Sequence, residues 1–326
     1  MSTATVLDPE SELFQYRREL LGYCYRMLGS AFDAEDAVQE SMTRAWRSVD
    51  KFEGRSALRS WLYRIATNVC LDMIASRTRR ARPMDMSASA WQPVEASLAA
   101  RRSEDTWLEP MLDVSVMPSV TDPADVTVGR ESVRLAFVAA LQHLPPRQRV
   151  VLILRDVLRW KADEVAALLD TSVASVTSAL QRARATIESR ALSDGQLYDP
   201  VDSEQQELLA RYVEAFESYD IDRFVALLRE DATQNMPPYE MWLQGRDDIG
   251  AWMLGPGHAC RGSRLVPVVA NGAPAFAHYK PSGPGGDREP WALQVLEVAA
   301  GQVVAITSFL DTRLFALLGL PEHPDD

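Results

Sequence analysis

Residues 161–190 read KADEVAALLDTSVASVTSALQRARATIESR. Two helical stretches, 161–169 and 172–190, are separated only by Asp170-Thr171, and so short a break predicts a helix-turn-helix. In the second stretch Val173, Val176, Leu180, Ala183 and Ile187 fall on one side and predict its buried face. The opposite arc carries Ser178, Gln181 and Arg182, with Thr177 and Arg184 at its edge. That arc is short, polar and cationic, as a groove-reading helix requires. Thr177, Ser178 and Gln181 are candidate base readers, and Arg182 and Arg184 candidate DNA contacts.

The helical pattern extends on the N-terminal side. Val133, Ala136, Phe137, Ala140 and Leu141 form one stripe, stopped by Pro145-Pro146. At the start of the chain, residues 11–29 repeat leucines and other apolar residues every seven positions until Gly29-Ser30. Asp33 then reads as an N-cap, with Glu35 and Asp36 in the first turn where a helix dipole favours them. Ser56 reads as the cap of a third helix whose apolar line is Leu58, Leu62, Ile65, Val69 and Met73. Arg77, Arg79, Arg80 and Arg82 close that helix and Pro83 stops it. Between 83 and 129 the periodicity fades and prolines recur, which predicts a linker or a functional loop.

After about residue 192 the pattern changes. Two amphipathic helices, 204–219 and 221–229, precede strand candidates at 263–270, 273–279, 291–299 and 303–310. Helices followed by a mostly antiparallel sheet predict an α+β unit.

The chain has 326 residues and a formal net charge of −12. The charge is uneven: residues 1–85 are near neutral, 86–129 acidic, 130–192 basic and 193–326 strongly acidic. The global value therefore excludes no nucleic-acid role, because local balance governs contact. Cys24, Cys70 and Cys260 lie far apart and the chain has four histidines. That pattern argues against a disulfide framework or a zinc site, and no cofactor or metal is expected. No apolar run approaches the length of a membrane span, so no membrane association is expected, and the expected location is the cytoplasm.

The first and third segments together resemble an extracytoplasmic-function (ECF) sigma factor of bacterial RNA polymerase. Asp33-Ala-Glu-Asp36-Ala-Val-Gln39-Glu40 is similar to the family's region 2 motif on the helix that docks on the polymerase clamp. The stretch from Trp46 through Phe52-Glu-Gly-Arg55-Ser56 to Trp61-Leu62-Tyr63-Arg64-Ile65-Ala66-Thr67-Asn68 resembles the part that opens and reads the −10 element. Leu144-Pro145-Pro146-Arg147-Gln148-Arg149 through Gln181-Arg182-Ala183-Arg184 resembles region 4, the −35 reader. The family often has basic residues where this chain has Thr177 and Ala179. The tail resembles a SnoaL-like, nuclear-transport-factor-like domain, on residues 219–232 and the stretch from Met236-Pro237-Pro238 to Gly245-Arg246-Asp-Asp-Ile249. Trp107-Leu108-Glu109-Pro110 is similar to a linker signature of sigma factors fused to such a domain.

The resemblance implies a multidomain protein: an all-α region 2 (8–83), an acidic flexible linker (84–129), an all-α helix-turn-helix region 4 (130–192), and a SnoaL-like α+β cone with a curved, mostly antiparallel sheet (200–320). It implies core RNA polymerase and promoter DNA, at the −35 and −10 elements, as partners. Asp36, Gln39 and Glu40 would dock on polymerase by charge complementarity. Arg55 and Ser56 lie in the loop expected to capture a flipped −10 base. Asn68 is a further edge reader, and Arg77, Arg79 and Arg80 are phosphate contacts. Trp46, Trp61 and Tyr63 are candidates to stack on unpaired bases. The linker would thread a basic channel that RNA later occupies. In the tail, Tyr239, Trp242, His278, Trp291 and Asp311 are candidate pocket residues for a small ligand of unknown identity. The expected function is a non-enzymatic sigma factor whose C-terminal domain regulates it in cis. The rival reading is a SnoaL-like enzyme, or a ligand-sensing domain, carried on a DNA-binding module. The docking motif separates them, because a simple repressor needs a helix-turn-helix but no clamp-docking helix.

Overall fold

Gly29 is where the N-terminal helices first turn. The first helix, α1 (Arg17–Leu28), ends there because Gly29 takes a left-handed φ of 70°, which costs a residue without a side chain little. Ser30 then caps α2 (Ala31–Ser48), its Oγ accepting the Asp33 N–H at 3.0 Å. The cap is thus Ser30 and not Asp33, since the turn at Gly29 lets the helix begin earlier and leaves Asp33 buried in its first turn. The structure is a computed structural model and describes residues 13–49, 57–76, 79–87, 89–116, 123–189 and 195–324. The chain divides into two units: Met1–Arg79 with Val114–Leu192, and Arg80–Asp113 with Ser193–Asp326.

The first unit is helical among its described residues. After α1 and α2 come α3 (Leu58–Ala75), α4 (Pro123–Val133), α5 (Leu135–Gln142), α6 (Pro146–Leu152), α7 (Ala162–Leu168) and α8 (Val173–Glu188). Aromatic and buried cationic side chains tie the early helices to the late ones. Tyr63 of α3 lies 5.1 Å from the Tyr23 ring and 4.9 Å from that of Trp160, just before α7. Such pairs contribute about 0.5–1.5 kcal/mol each beyond their buried area. Arg26 of α1 donates to Ser132 Oγ at 2.8 Å. Arg149 of α6 donates to Met27 O on α1 and, at 2.7 Å, to Gln142 Oε1. Burial pushes the Arg149 guanidinium down to about 10, so its carbonyl and amide acceptors compensate for lost hydration. Ser56, read as the cap of α3, lies outside the described residues.

The second unit carries α9 (Ser203–Ser218), α10 (Ile221–Ala226), β1 (Leu228–Asn235), β2 (Trp242–Gln244), α11 (Arg246–Leu254), β3 (Arg264–Ala270), β4 (Ala273–Pro281), β5 (Arg288–Ala299), β6 (Gln302–Phe309) and α12 (Arg313–Leu318). The six strands form an open mixed sheet in the order β2-β1-β6-β5-β4-β3. Every neighbouring pair is antiparallel except β1 and β6. One sheet face packs on the helices through Tyr212, Phe216, Phe224, Phe276, Leu296 and Ile306. The four strands read from sequence are β3–β6. The sequence reading missed β1 and β2, and ran a helix into Arg229, because Leu228-Arg-Glu-Asp-Ala-Thr-Gln-Asn235 has no apolar alternation to mark a strand.

The segment expected as a flexible linker is instead divided between the units. Residues 80–113 fold with the C-terminal sheet. Trp91 N–H donates to Trp242 O at 2.8 Å on edge strand β2, and Arg102 N–H to Pro238 O at 3.1 Å. At the opposite edge Asn271 N–H donates to Met111 O at 3.0 Å, and Gly272 N–H to Asp113 Oδ1 at 2.8 Å. The segment therefore runs from one edge of the sheet to the other. Trp107, Leu108 and Met111 are buried along it, each fully buried apolar side chain contributing roughly 1.5–3 kcal/mol. This burial is what a free linker would forfeit.

Candidate polymerase and nucleic-acid interfaces

On α2, Asp36, Gln39 and Glu40 are all exposed, while Ala34, Ala37, Val38 and Ser41 face the core. The three residues thus share the outward arc that the helical period assigns them. Glu40 accepts from Arg44 Nε at 2.7 Å within the helix, an exposed pair that a charged partner can displace at small cost. Trp46, on the same helix, is 63% exposed. Trp61 is half-buried and Tyr63 buried, so Tyr63 is withdrawn from the candidates for base stacking. Its hydroxyl donates to Glu19 Oε1 at 2.8 Å, and burial raises its pKa well above the tyrosine value.

Asn68 is exposed on α3. One turn before it, Arg64 donates to Ala167 O on α7 at 3.0 Å. Arg55, Ser56 and Arg77 lie outside the described residues. α3 ends at Ala75 and carries no basic residue in its last turn. Arg79 is exposed and bonded to His143 Nδ1 at 2.7 Å. Arg80 is 6% exposed and donates to Trp107 O at 2.6 Å. It belongs to the second unit and is buried away from any phosphate, which corrects its assignment as a DNA contact.

The helix-turn-helix is α7 and α8. Between them Asp170 takes a positive φ of 51°, Thr171 N–H donates to Ala166 O at 2.9 Å, and Ser172 caps α8 by accepting from Ser175 N–H at 3.1 Å. The buried face of α8 is Val176, Leu180, Ala183 and Ile187. Val173, assigned to that face by its spacing, stands in the first turn of α8 and is 47% exposed. Thr177, Gln181, Arg182 and Arg184 are exposed and Ser178 half-buried. Several already have partners on the protein. Thr177 Oγ1 donates to Val173 O at 3.0 Å and Arg182 Nη1 to Ser178 Oγ at 2.7 Å. Arg184 donates twice to Asp156, at 2.8 and 2.7 Å. Asp156 carries no periodic or motif signal in the sequence and was missed for that reason.

In the second unit the five candidate pocket residues do not converge. Trp242 pairs with Asn235, Asn235 with Thr307, Thr307 with Val295 and Val295 with Ala275 in one row across the sheet. His278 lies three residues beyond Ala275 and so projects from the other face. There its ring meets Phe216 edge-on at 5.2 Å, and Nε2 has no hydrogen-bond partner among the described residues. Burial, with Lys280 nearby, pushes this imidazole down to about 3. Trp291 is covered by the Lys280 ammonium at 4.0 Å. Asp311 accepts the Arg313 N–H at 3.1 Å and its guanidinium at 2.6 Å, at the start of α12. Tyr239 bridges to Arg101 of the connector. A groove of about 510 Å³ does open between α9 and the β3–β4 hairpin, walled by Leu209, Val213, Pro267, Val268 and Phe276, and none of the five lines it. Among the described residues no cluster of His, Cys, Asp and Glu could hold a metal ion, and no helix is long and apolar enough to cross a membrane.

Residues 13–80 match the family model Sigma-70 region 2, residues 134–187 match Sigma-70, region 4, and residues 209–306 match the SnoaL-like domain. A Sigma-70 region 2, a region 4 helix-turn-helix and an appended SnoaL-like sheet together define a promoter-directing sigma factor of bacterial RNA polymerase. Similarity narrows the class. The chain is 48% identical over 310 residues to the ECF RNA polymerase sigma factor SigG of Mycobacterium tuberculosis (strain H37Rv), covering 94% of this chain and 82% of the relative. It is 30% identical over 254 residues to SigJ of the same organism, covering 75% and 72%. The chain belongs to the ECF RNA polymerase sigma factors. The crystal structure of the extracytoplasmic function sigma factor SigJ from Mycobacterium tuberculosis shares the fold, with a TM-score of 0.59 and 24% identity over 96% of this chain and 99% of that one.

Proposed function

We propose that this sigma factor docks on core RNA polymerase through the Asp36, Gln39 and Glu40 arc of α2. It reads the −35 element with Thr177, Ser178 and Gln181 of α8, contacts DNA there with Arg182 and Arg184, and reads the −10 element with Arg55, Ser56 and Asn68. The observation that carries the reading is the outward face of α8. Its polar and cationic side chains stand on the second helix of a helix-turn-helix, as major-groove recognition requires. Such a chain works beside polymerase in the cytoplasm. Asp36→Arg with Glu40→Arg tests the docking arm. Both side chains are solvent-facing, so the fold should survive while co-purification with core polymerase and promoter-dependent transcription are lost. Unchanged co-purification would sink this arm.

The C-terminal unit acts in cis and not as a catalyst in this reading. Asp311 is committed to Arg313, and the buried His278 lies on the opposite sheet face from Trp242. Neither Asp311 nor His278 lines the 510 Å³ groove. Residues 80–113 are held against the C-terminal sheet. Threading them into an RNA channel would require their release, which couples the C-terminal unit to initiation.

A further inference from the structure

Arg184 and Asp156 lie 28 residues apart in the chain and meet fork to fork, Nε to Oδ2 at 2.8 Å and Nη2 to Oδ1 at 2.7 Å. The guanidinium is 54% exposed and the carboxylate 30%. Asp156 stands in a π-helical turn, Ile153–Val157, that continues α6. In that turn Leu158 N–H reaches back five residues to Ile153 O at 2.9 Å, and Trp160 N–H closes on Leu154 O at 2.8 Å. A π-turn inserts a residue into the helical period and re-aims the side chains after it by roughly 100°. The widened turn is thus what presents Asp156 to α8.

We propose that Asp156 sets the strength of DNA-backbone binding by holding Arg184 in competition with phosphate. The inference rests on the reading of Arg184 as a DNA contact. A bidentate carboxylate is the closest protein mimic of a phosphate for an arginine fork. An exposed pair of this kind is weak enough to exchange. When Arg184 turns to a phosphate, the Asp156 charge is left unpaired beside the polyanion and opposes binding. The pair also holds the fork in one place on the α8 surface, so Asp156 acts as a positioning residue. The device weakens indiscriminate backbone contact on a helix that carries few other cations.

The test uses the full chain and a random-sequence DNA duplex, titrated by fluorescence anisotropy over a salt series, with melting curves to verify folding. Asp156→Asn should tighten binding about three- to tenfold at low salt and steepen the log K against log salt slope. Arg184→Gln should weaken binding and flatten the slope, the two shifts together spanning about one counterion. Asp156→Asn should tighten binding clearly less in the Arg184→Gln background than in the wild-type chain, the difference being the part of its action that runs through Arg184. Asp156→Ser provides the same readout if the asparagine variant melts early. If Arg184→Gln weakens binding but Asp156→Asn leaves it unchanged or weaker, the competition is overturned while the Arg184 contact stands. If Arg184→Gln changes neither affinity nor slope, the contact itself fails and the inference fails with it.

Discussion

Arg80 ties the two ends of the connector together: its Nη1 lies 2.6 Å from Trp107 O and 3.3 Å from Glu109 Oε1. Both side chains of the ion pair are nearly buried, at 6% and 10% exposure. The pair therefore sits where Trp107-Leu108-Glu109-Pro110 crosses the sheet, and an arginine of a basic run becomes a structural residue.

Removing one partner of a buried pair leaves the other charge uncompensated, at a cost of about 3–5 kcal/mol. Arg80→Ala should accordingly destabilise the second unit by several kcal/mol in urea melts. Arg79→Ala, on an exposed neighbour in the other unit, should change little. Equal and small effects of the two would show that the Arg80 contacts contribute nothing to the fold.

The connector also makes a truncation informative. A fragment ending at residue 192 keeps Trp107, Leu108 and Met111 but removes the sheet to whose edges the connector is hydrogen-bonded. Limited proteolysis should then cut between residues 84 and 113 at least tenfold faster than in the full chain, since an opened segment is cleaved in proportion to its exposure. Matching cleavage rates would mean that the connector is held by something other than the C-terminal sheet.

His278 gives the second unit a pH dependence with a definite sign. Its folded-state value of about 3 lies below the ~6.5 of an unfolded histidine, because the ring is buried and Lys280 is close. Between these values the unfolded state binds more protons, so stability rises with pH there. The contribution is complete above about pH 6.5 and is lost as pH falls toward 3. Urea unfolding at pH 5 against pH 7 should show a loss of about 2 kcal/mol from this group. His278→Phe, which keeps the ring beside Phe216, should remove that part of the pH slope. A slope unaltered by the substitution would assign it to other groups.

On α8, Gln181 and Arg182 should separate base reading from backbone contact. Gln181→Ala should cost about 1–3 kcal/mol on the preferred −35 sequence and relax the preference at one base pair. Arg182→Gln should weaken all sequences alike and flatten the salt dependence. Binding of the holoenzyme to a −35 library reports both, and a uniform loss with Gln181→Ala would remove it from the base readers.

What was legible in the sequence follows from which interactions are local. The helix-turn-helix was readable because Val176, Leu180, Ala183 and Ile187 repeat at helical spacing and Ser172 marks the start of α8. The outward arc of Asp36, Gln39 and Glu40 follows from the same geometry. Strands β3–β6 alternate or run apolar, and Gly/Pro-rich turns bound them. The polar strand β1 has no such mark, because its place depends on pairing with β6, far along the chain. Two further decisions were also tertiary. Arg80 belongs to a basic cluster in sequence, yet it is buried because Trp107 and Glu109 close over it. Arg184 reads as a free cation, yet a π-turn 28 residues away supplies its carboxylate. Periodicity and capping fix how a segment coils and which side it buries. Which side chain ends up paired, or shut away from solvent, depends on residues distant in sequence, and only the folded chain brings those together.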